Sequence, residues 1–205
     1  KEEIAGHLLS LETQMGKKLG DSNDPLLVSV RSGSKFSMPG MMDTILNLGL
    51  NDSSVEGLAR KTNNPRFAYD SYRRFIEGFS KIVLGIKEAD EKFREILNEV
   101  KEEEGIKVSP RTDAQLSAEV LKDKLIPRYK QLILKETGQE FSDDSNAHLD
   151  LAIKAVFNSW NSQRAKDYRE VNKIPADLGT ACNIQAMVFG NTGPNSGTGV
   201  YFTRD

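Results

Sequence analysis

The sequence contains very little cysteine and histidine. One cysteine, Cys182, and two histidines occur in 205 residues. A single cysteine excludes an internal disulfide and a metal cluster built from cysteines alone, and low cysteine usage indicates a reducing, intracellular compartment. His7 and His148 fall on predicted helices, and neither has a second histidine, a cysteine or paired carboxylates at ligand spacing. We therefore expect surface or helix-packing roles for both rather than a metal site.

The sequence also lacks a long apolar run and an excess of either charge. No segment is apolar enough over a sufficient length to span a membrane, and no signal-peptide core is recognisable. Lys and Arg total 28 against 30 Asp and Glu, which gives a net charge of −2. Non-specific nucleic-acid binders carry a basic excess, so we expect neither nucleic acid nor membrane as a partner. Because the first residue is Lys1 and the last residues follow a predicted strand, we expect a fragment of a longer protein.

Helical periodicity is the most frequent pattern of apolar residues in the sequence. Apolar residues at helical spacing predict a helix over residues 2–18 and helices through most of residues 51–175. A capping box is predicted at residues 53–56. A short helix is predicted over residues 41–48, with Gly49 placed to end it.

Strands are predicted on either side of the helical block. Residues 26–30 form a short apolar run between Pro and Gly, residues 179–189 are rich in β-favouring types, and residues 200–203 would return as a second strand of a hairpin. Residues 31–40 are predicted to be a loop. The layout indicates an α+β fold that is mostly helical, with a small partial sheet and an inserted helical subdomain.

The strongest chemical signal lies where the first apolar strand ends. Arg31 is followed at once by small residues, and a guanidinium offers a rigid two-donor fork for phosphate or carboxylate. Neighbouring hydroxyl and backbone N–H groups could add donors, as in anion-binding nests; these would come from Ser32, Gly33, Ser34 and Ser37. A strand-end arginine in a surface ion pair is the alternative. The N-terminus of the predicted helix 41–48 could also face an anion, with Asp43 as a helix-end carboxylate.

A second irregular segment is rich in glycine. Residues 190–199 contain four glycines and a proline, and their pattern is typical of a flap that closes over phosphates, with the Thr198 hydroxyl as a donor. An ordinary long hairpin loop is the alternative. The segment lacks the lysine of a P-loop, which argues against a Walker-type nucleotidase.

Motifs along most of the chain resemble the pyruvate, phosphate dikinase family, in the order in which they occur there. They are residues 30–33 with 37–52, residues 64–76, residues 155–160, residues 185–191 and residues 196–199. The related phosphoenolpyruvate synthases share the Val-Arg-Ser start. They typically lack the Met-Pro-Gly-Met-Met-Asp-Thr continuation found at residues 38–44, which favours the dikinase.

The resemblance implies a fragment of an ATP-grasp-like nucleotide-binding domain. Residues 1–50 would belong to its α/β subdomain, residues 51–140 to its helical subdomain, and residues 141–205 to the returning body with an adenine-side strand. The family converts ATP, phosphate and pyruvate to AMP, diphosphate and phosphoenolpyruvate through a phosphohistidine on another domain. The parent enzyme is expected to be a homodimer of the cytoplasm, or of an organelle in some organisms.

The same resemblance implies roles for individual residues. Arg31 would be the catalytic residue that contacts the ATP phosphates, Gln185 and Met187 would lie near the adenine, and Thr198 would reach the terminal phosphates. Contacts to the phosphates would also come from Ser32, Gly33, Gly197 and Gly199. The family's phosphate-binding lysine and its Mg²⁺-binding carboxylates match no residue here. We therefore expect no metal ligand within this chain and no dikinase activity from it alone.

Two alternatives remain open from the sequence. One is a phosphoenolpyruvate synthase-type dikinase. The other, from a different class, is a non-catalytic interaction module in which the helices of residues 51–175 bind a partner.

Overall fold

Helices make up most of the chain in the computed structural model, which describes residues 2–193 and 195–199. The helices are α1 (Glu2–Met15), α2 (Asp52–Thr62), α3 (Pro65–Ile82), α4 (Ala89–Glu103), α5 (Ala118–Val120), α6 (Ile126–Thr137), α7 (Ser145–Ser159) and α8 (Gln163–Val171), with short 3₁₀ turns at Pro110–Gln115 and Ala176–Leu178 and a π-helical turn at Leu121–Leu125. The strands are β1 (Lys18–Leu19), β2 (Pro25–Leu26), β3 (Val28–Gly33), β4 (Thr44–Leu48) and β5 (Ala181–Ala186). The predicted α+β, mostly helical fold is confirmed. The predicted strand at residues 200–203 lies outside the described residues.

The main sheet has β3 at its centre, between β4 and β5, and both pairings are antiparallel. On β5, the register runs from Val28 opposite Ala186 to Gly33 opposite Ala181. On β4, Arg31 lies opposite Thr44, and a bulge shifts the register between Val28 and Val30. The first strand thus pairs with a strand from the far end of the chain, and the helical block lies between them in sequence. The division into residues 1–50, 51–140 and 141–205 stays a prediction.

The two faces of this sheet have opposite characters. Successive side chains of a strand point to opposite faces. Val28 and Val30, both 0% exposed, face the helices together with Ile45 and Leu48, and α7 packs against β3 and β4. The other face carries Arg31, Thr44, Leu46, Asn183 and Gln185, all exposed. The sheet therefore buries one side in the core and offers a polar side to a ligand.

The predicted short helix over residues 41–48 is wrong. Residues 44–48 form β4, in which Ile45 and Leu48 are buried while Thr44 and Leu46 are exposed. Pairing with the exposed edge of β3 satisfies backbone groups that a two-turn helix would leave open at both ends. The strand predicted over residues 26–30 is divided in the structure. Leu26 belongs to β2, and β3 runs from Val28 through Arg31 to Gly33, into residues predicted to be loop.

Gly49 follows β4 for a reason other than ending a helix. Its φ is +114°, and a Cβ there would lie 2.4 Å from the carbonyl oxygen of Leu26. Only glycine allows this conformation and this backbone approach together.

The helical block begins with a cap two residues before the predicted box. Asn51 is the N-cap of α2, and its side chain accepts hydrogen bonds from the backbone N–H groups of Ser53 and Ser54. The Ser54 hydroxyl in turn accepts from the Asn51 N–H at 2.8 Å. This reciprocal pair replaces the box expected at residues 53–56.

An aromatic core surrounds α3 and holds His148. The imidazole lies 4.6 Å from the Phe79 ring, 4.9 Å from Phe141 and 5.5 Å from Phe75, between ring centroids. Burial lowers the pKa of His148 to about 4, so it is neutral at pH 7. The expected helix-packing role is confirmed for this residue.

Among the described residues, no helix combines the length and the hydropathy that crossing a membrane requires.

Candidate functional site

A cleft of about 590 Å³ lies on the polar face of the sheet, beneath the connection between β3 and β4. We call residues 34–43, which form this connection, the cleft loop. The walls come from β3, the cleft loop, β4 and one residue of β5; the lining residues are Ser29, Arg31, Ser32, Gly33, Ser34, Lys35, Phe36, Ser37, Met38, Pro39, Gly40, Met42, Thr44, Leu46 and Asn183.

Arg31 occupies the centre of the cleft floor. It lies on the middle strand, directly opposite Thr44 on one side and Asn183 on the other. Within the described part of the chain, neither Arg31 nor Lys35 forms an ion pair, and no carboxylate lines the cleft. Two cations without counter-charges in a walled cleft favour an anionic ligand.

Neutral donors accompany the two cations. The Ser34 hydroxyl is buried and has no hydrogen-bond partner among the described residues, although buried polar groups normally have one. A Cβ on Gly33 would lie 2.6 Å from the Asn183 amide nitrogen, so glycine at this position lets that amide lie close to the strand. Ser34 and Asn183 could therefore donate to an anion that Arg31 holds.

The cleft loop contains a tight turn between two of its methionines, Met38 and Met41. The N–H of Met41 donates to the carbonyl of Met38 at 3.1 Å, and Gly40 has φ of +72°. Proline at the second position and glycine with positive φ at the third are the signature of a type II turn. Met38 is buried at 7% exposure and anchors the loop, while Met42 lines the cleft.

Asp43 has a different role from the expected helix-end carboxylate, since no helix follows it. Its carboxylate forms an ion pair with Arg164 of α8, and its backbone N–H donates to the Ser159 hydroxyl at 3.3 Å. Asp43 is thus turned away from the cleft lining.

Gln185 lies two residues beyond Asn183 on β5, and Met187 follows the end of that strand. Gln185 is exposed on the same face as Arg31, and its carbonyl accepts a 3.5 Å hydrogen bond from the Ser29 hydroxyl. The N–H of Met187 donates to the Leu27 carbonyl at 2.9 Å, and its sulfur accepts from the Asn47 N–H at 3.2 Å. At about 3.3 Å per residue, Met187 lies about 13 Å along the strand from Asn183. Neither residue lines the cleft.

The glycine-rich loop folds back on itself in the described residues. Thr198 is exposed, and its methyl group lies where a Cβ on residue 190 would be, so Gly190 is needed for this contact. The hydroxyls of Thr192 and Ser196 lie 2.6 Å apart, and the Asn64 amide donates to the Thr192 carbonyl at 2.9 Å. The structure brings Arg31, Ser32 and Gly33 to the cleft, but it does not bring Gly197, Thr198 and Gly199 to its lining.

Comparison with known proteins assigns this chain to a family. All of residues 1–205 match the family model described as pyruvate phosphate dikinase, AMP/ATP-binding domain. The chain belongs to this family. It is 53% identical over 204 residues to pyruvate, phosphate dikinase from Giardia intestinalis, 52% identical over 207 residues to that from Clostridium symbiosum, and 53% identical over 204 residues to the chloroplastic enzyme 1 from Arabidopsis thaliana. These matches cover 100% of the chain but only 22%, 23% and 20% of the relatives. The resemblance seen in the motifs is thereby confirmed.

The cleft of this dikinase-family domain does not fit a magnesium ion by itself. Mg²⁺ prefers carboxylate and phosphate oxygens, whereas the lining offers two cations, hydroxyls and amides. In residues 2–193 and 195–199, no group of three or more His, Cys, Asp or Glu is arranged to hold a metal.

Sequence reasoning missed three contributors to this dikinase-family cleft. Thr44 lies within the recognised motif and Lys35 lies between its two parts, so the motif could have singled them out. Asn183 could not have been found in this way, because its place in the cleft depends on the register between β3 and β5.

Proposed function

We propose that this chain forms part of the ATP site of a pyruvate, phosphate dikinase, in which Arg31 holds the ATP phosphates. The single observation that carries the proposal is the pair of cations, Arg31 and Lys35, in a cleft whose described lining has no carboxylate. The chain spans about a fifth of the relatives it matches. The complete reaction, from ATP, phosphate and pyruvate to AMP, diphosphate and phosphoenolpyruvate, therefore belongs to the proposed parent protein.

The residues of the cleft would bind and orient the phosphates. Phosphoryl transfer depends largely on positioning and on neutralising charge. The Arg31 guanidinium can hold two phosphate oxygens at once, Lys35 adds a point charge, and the unpartnered Ser34 hydroxyl adds a directed donor. Magnesium would supply further charge neutralisation, with ligands from outside this chain.

The other predicted site residues would contact the two ends of ATP, the adenine and the terminal phosphates. Gln185 shares the open face of the sheet with Arg31, which supports a place for it beside the adenine, with Met187 beyond it. Thr198, Gly197 and Gly199 are exposed, which would allow their loop to close over the terminal phosphates.

The parent protein would supply the other partners. A phosphohistidine on a separate domain would accept the phosphoryl group from ATP, and the parent enzyme would be a homodimer. It would act in the cytoplasm or in an organelle; the name of the Arabidopsis relative places that protein in the chloroplast.

Amide NMR of the 205-residue chain tests the phosphate assignment, because it detects millimolar binding. Titration with ATP and with inorganic tripolyphosphate is expected to shift the amides of Arg31, Ser34 and Lys35, and adenosine is expected to shift mainly Gln185 and Met187. Arg31→Ala should abolish the shifts caused by tripolyphosphate. Arg74→Ala is the matched control, since Arg74 is an exposed arginine on α3, paired with Asp70 at 2.9 Å. Equal binding by the wild type and Arg31→Ala would refute the proposal.

A further inference from the structure

Arg164, in the first turn of α8, holds the cleft loop from outside the cleft. Its Nε donates to the carbonyl of Met41 at 3.0 Å, and its guanidinium forms an ion pair with the carboxylate of Asp43. None of these three residues lines the cleft. One side chain thus holds two positions of the loop across more than 120 residues of sequence.

A second contact holds the same stretch of the loop. The hydroxyl of Ser159, a residue 4% exposed at the end of α7, accepts from the Asp43 N–H at 3.3 Å and donates to the Val156 carbonyl at 2.7 Å. Met41 and Asp43 are therefore fixed to the corner between α7 and α8. Met42 and Thr44 line the cleft, and the Met42 sulfur lies 3.8 Å from the same Ser159 hydroxyl, so these contacts hold this wall of the cleft against the corner.

The corner that carries Arg164 is itself firmly packed. Ser162 caps α8 by accepting from the Ala165 N–H at 3.4 Å. Arg169, which is 4% exposed, donates to the Trp160 carbonyl at 2.6 Å and lies 4.1 Å from the centre of the indole ring. The indole N–H donates to the Ala176 carbonyl at 3.2 Å. Arg164 therefore extends from a fixed base, which a residue that positions another segment needs.

We propose that Arg164 is a positioning residue for the phosphate cleft. It keeps Thr44 opposite Arg31 and Met42 in the cleft wall, and it pairs the Asp43 carboxylate outside the cleft, where that charge does not oppose a bound phosphate. The proposal rests on the proposed function, because it assigns to the cleft the anion that Arg31 would hold.

The contacts require arginine rather than a positive charge alone. The guanidinium donates in two directions, from Nε to a carbonyl and from a terminal nitrogen to a carboxylate. A lysine ammonium is a point charge on a flexible stem and does not reproduce this fork. Arg164→Lys should therefore preserve the charge pairing and lose much of the positioning.

The test measures loop order and ligand affinity separately on the 205-residue chain. Amide hydrogen exchange over residues 34–43 reports local opening, and NMR titration gives the Kd for ATP. In Arg164→Met we expect exchange in the loop to accelerate about tenfold or more and the Kd to rise about tenfold, a loss of about 1.4 kcal/mol. Arg164→Lys should fall between Arg164→Met and the wild type in both measurements. Exposed ion pairs add little to stability, so the urea midpoint should change no more than in the control Arg74→Met.

A double variant isolates the effect of the Asp43 charge. Arg164→Met leaves the carboxylate unpaired beside Thr44, and adding Asp43→Asn removes it. The double variant is expected to bind ATP more tightly than Arg164→Met while its loop still exchanges rapidly. An affinity no better than that of Arg164→Met would overturn the charge-pairing part of the proposal.

Other outcomes distinguish this proposal from the proposed function. If Arg164→Met keeps the loop exchange and the Kd within twofold of Arg74→Met while Arg31→Ala no longer binds, Arg164 does not position the cleft and the proposed function stands. If Arg31→Ala binds ATP like the wild type, the proposed function is wrong. In that case only the hydrogen exchange of the cleft loop is informative. Faster exchange in Arg164→Met than in Arg74→Met would still show that Arg164 orders the loop.

Discussion

Lys101 of α4 is buried to 1% side-chain exposure and forms an ion pair with Asp113 of the 3₁₀ turn. Its ammonium also donates to the Ser109 carbonyl at 2.8 Å. Lys101→Met would leave the Asp113 carboxylate without its cation and would remove one of the donors to the Ser109 carbonyl. We predict that it lowers the free energy of unfolding by about 2–3 kcal/mol, measured by urea denaturation.

Lys124 provides the matched control for Lys101. It also forms an ion pair, with Glu104, but its side chain is 46% exposed. Exposed pairs contribute little because water and salt screen them, so Lys124→Met should cost less than about 1 kcal/mol. Equal losses in the two variants would show that burial of the Lys101 pair has no particular effect.

Two helical glycines should respond in opposite directions to substitution by alanine. A Cβ on Gly57 of α2 would lie 2.4 Å from the Ser22 carbonyl oxygen, whereas a Cβ on Gly78 of α3 meets nothing within 4 Å. Alanine has the higher helix propensity, so Gly78→Ala should stabilise the protein by about 0.5–1 kcal/mol. Gly57→Ala should destabilise it by about 1–3 kcal/mol, because the backbone of residue 22 must move. The shift in thermal midpoint gives both signs, and a gain in Gly57→Ala would contradict this account of α2 packing.

His148 should make the fold sensitive to acid. Its pKa is about 4 in the folded chain and 6.5 without perturbation, so the unfolded state binds the proton more readily in between. The contribution to stability is complete above pH 6.5 and is lost as the pH falls toward 4. Between about pH 7 and about pH 5, the wild type should lose about 2 kcal/mol more than His148→Leu.

Phe141→Leu separates titration from packing at the same site. Phe141 contacts the imidazole, and its truncation disturbs the cluster without removing the titrating group. This variant should be less stable at both pH values and should keep the acid-dependent loss of the wild type. If His148→Leu kept that loss too, other groups would be responsible for it.

We predict that the 205-residue chain alone forms no AMP from ATP in the presence of phosphate and pyruvate. The described cleft lining supplies cations and hydroxyls but no carboxylates for magnesium, and phosphoryl transfer depends on metal as well as on cations. Chromatography of the nucleotides after incubation is the measurement. Formation of AMP that depends on both ATP and phosphate would refute the prediction.

The sequence predicted the helices better than it predicted the sheet. Helical periodicity repeats over many turns, so Tyr72, Phe75 and Phe79 of α3 reveal a buried face without knowledge of its partner. Residues 41–48 are too short for this, and their strand conformation follows from pairing with β3. Arg31 could be singled out from its local context. Asn183 and Arg164 could not, because each meets the cleft or its loop through contacts that span well over a hundred residues.

The pairing of β3 with β5 also sets the order in which the molecule can assemble. Ser29 and Gln185 meet across 156 residues of chain, and contacts at such separation carry a large loop-closure entropy and form slowly. The helical block can gain its local contacts earlier, whereas the wall that Asn183 provides exists only when both ends of the chain have met. A ligand that binds between Arg31 and Asn183 would therefore stabilise the paired state of β3 and β5. Its apparent affinity would report the fraction of molecules in which this pairing has formed.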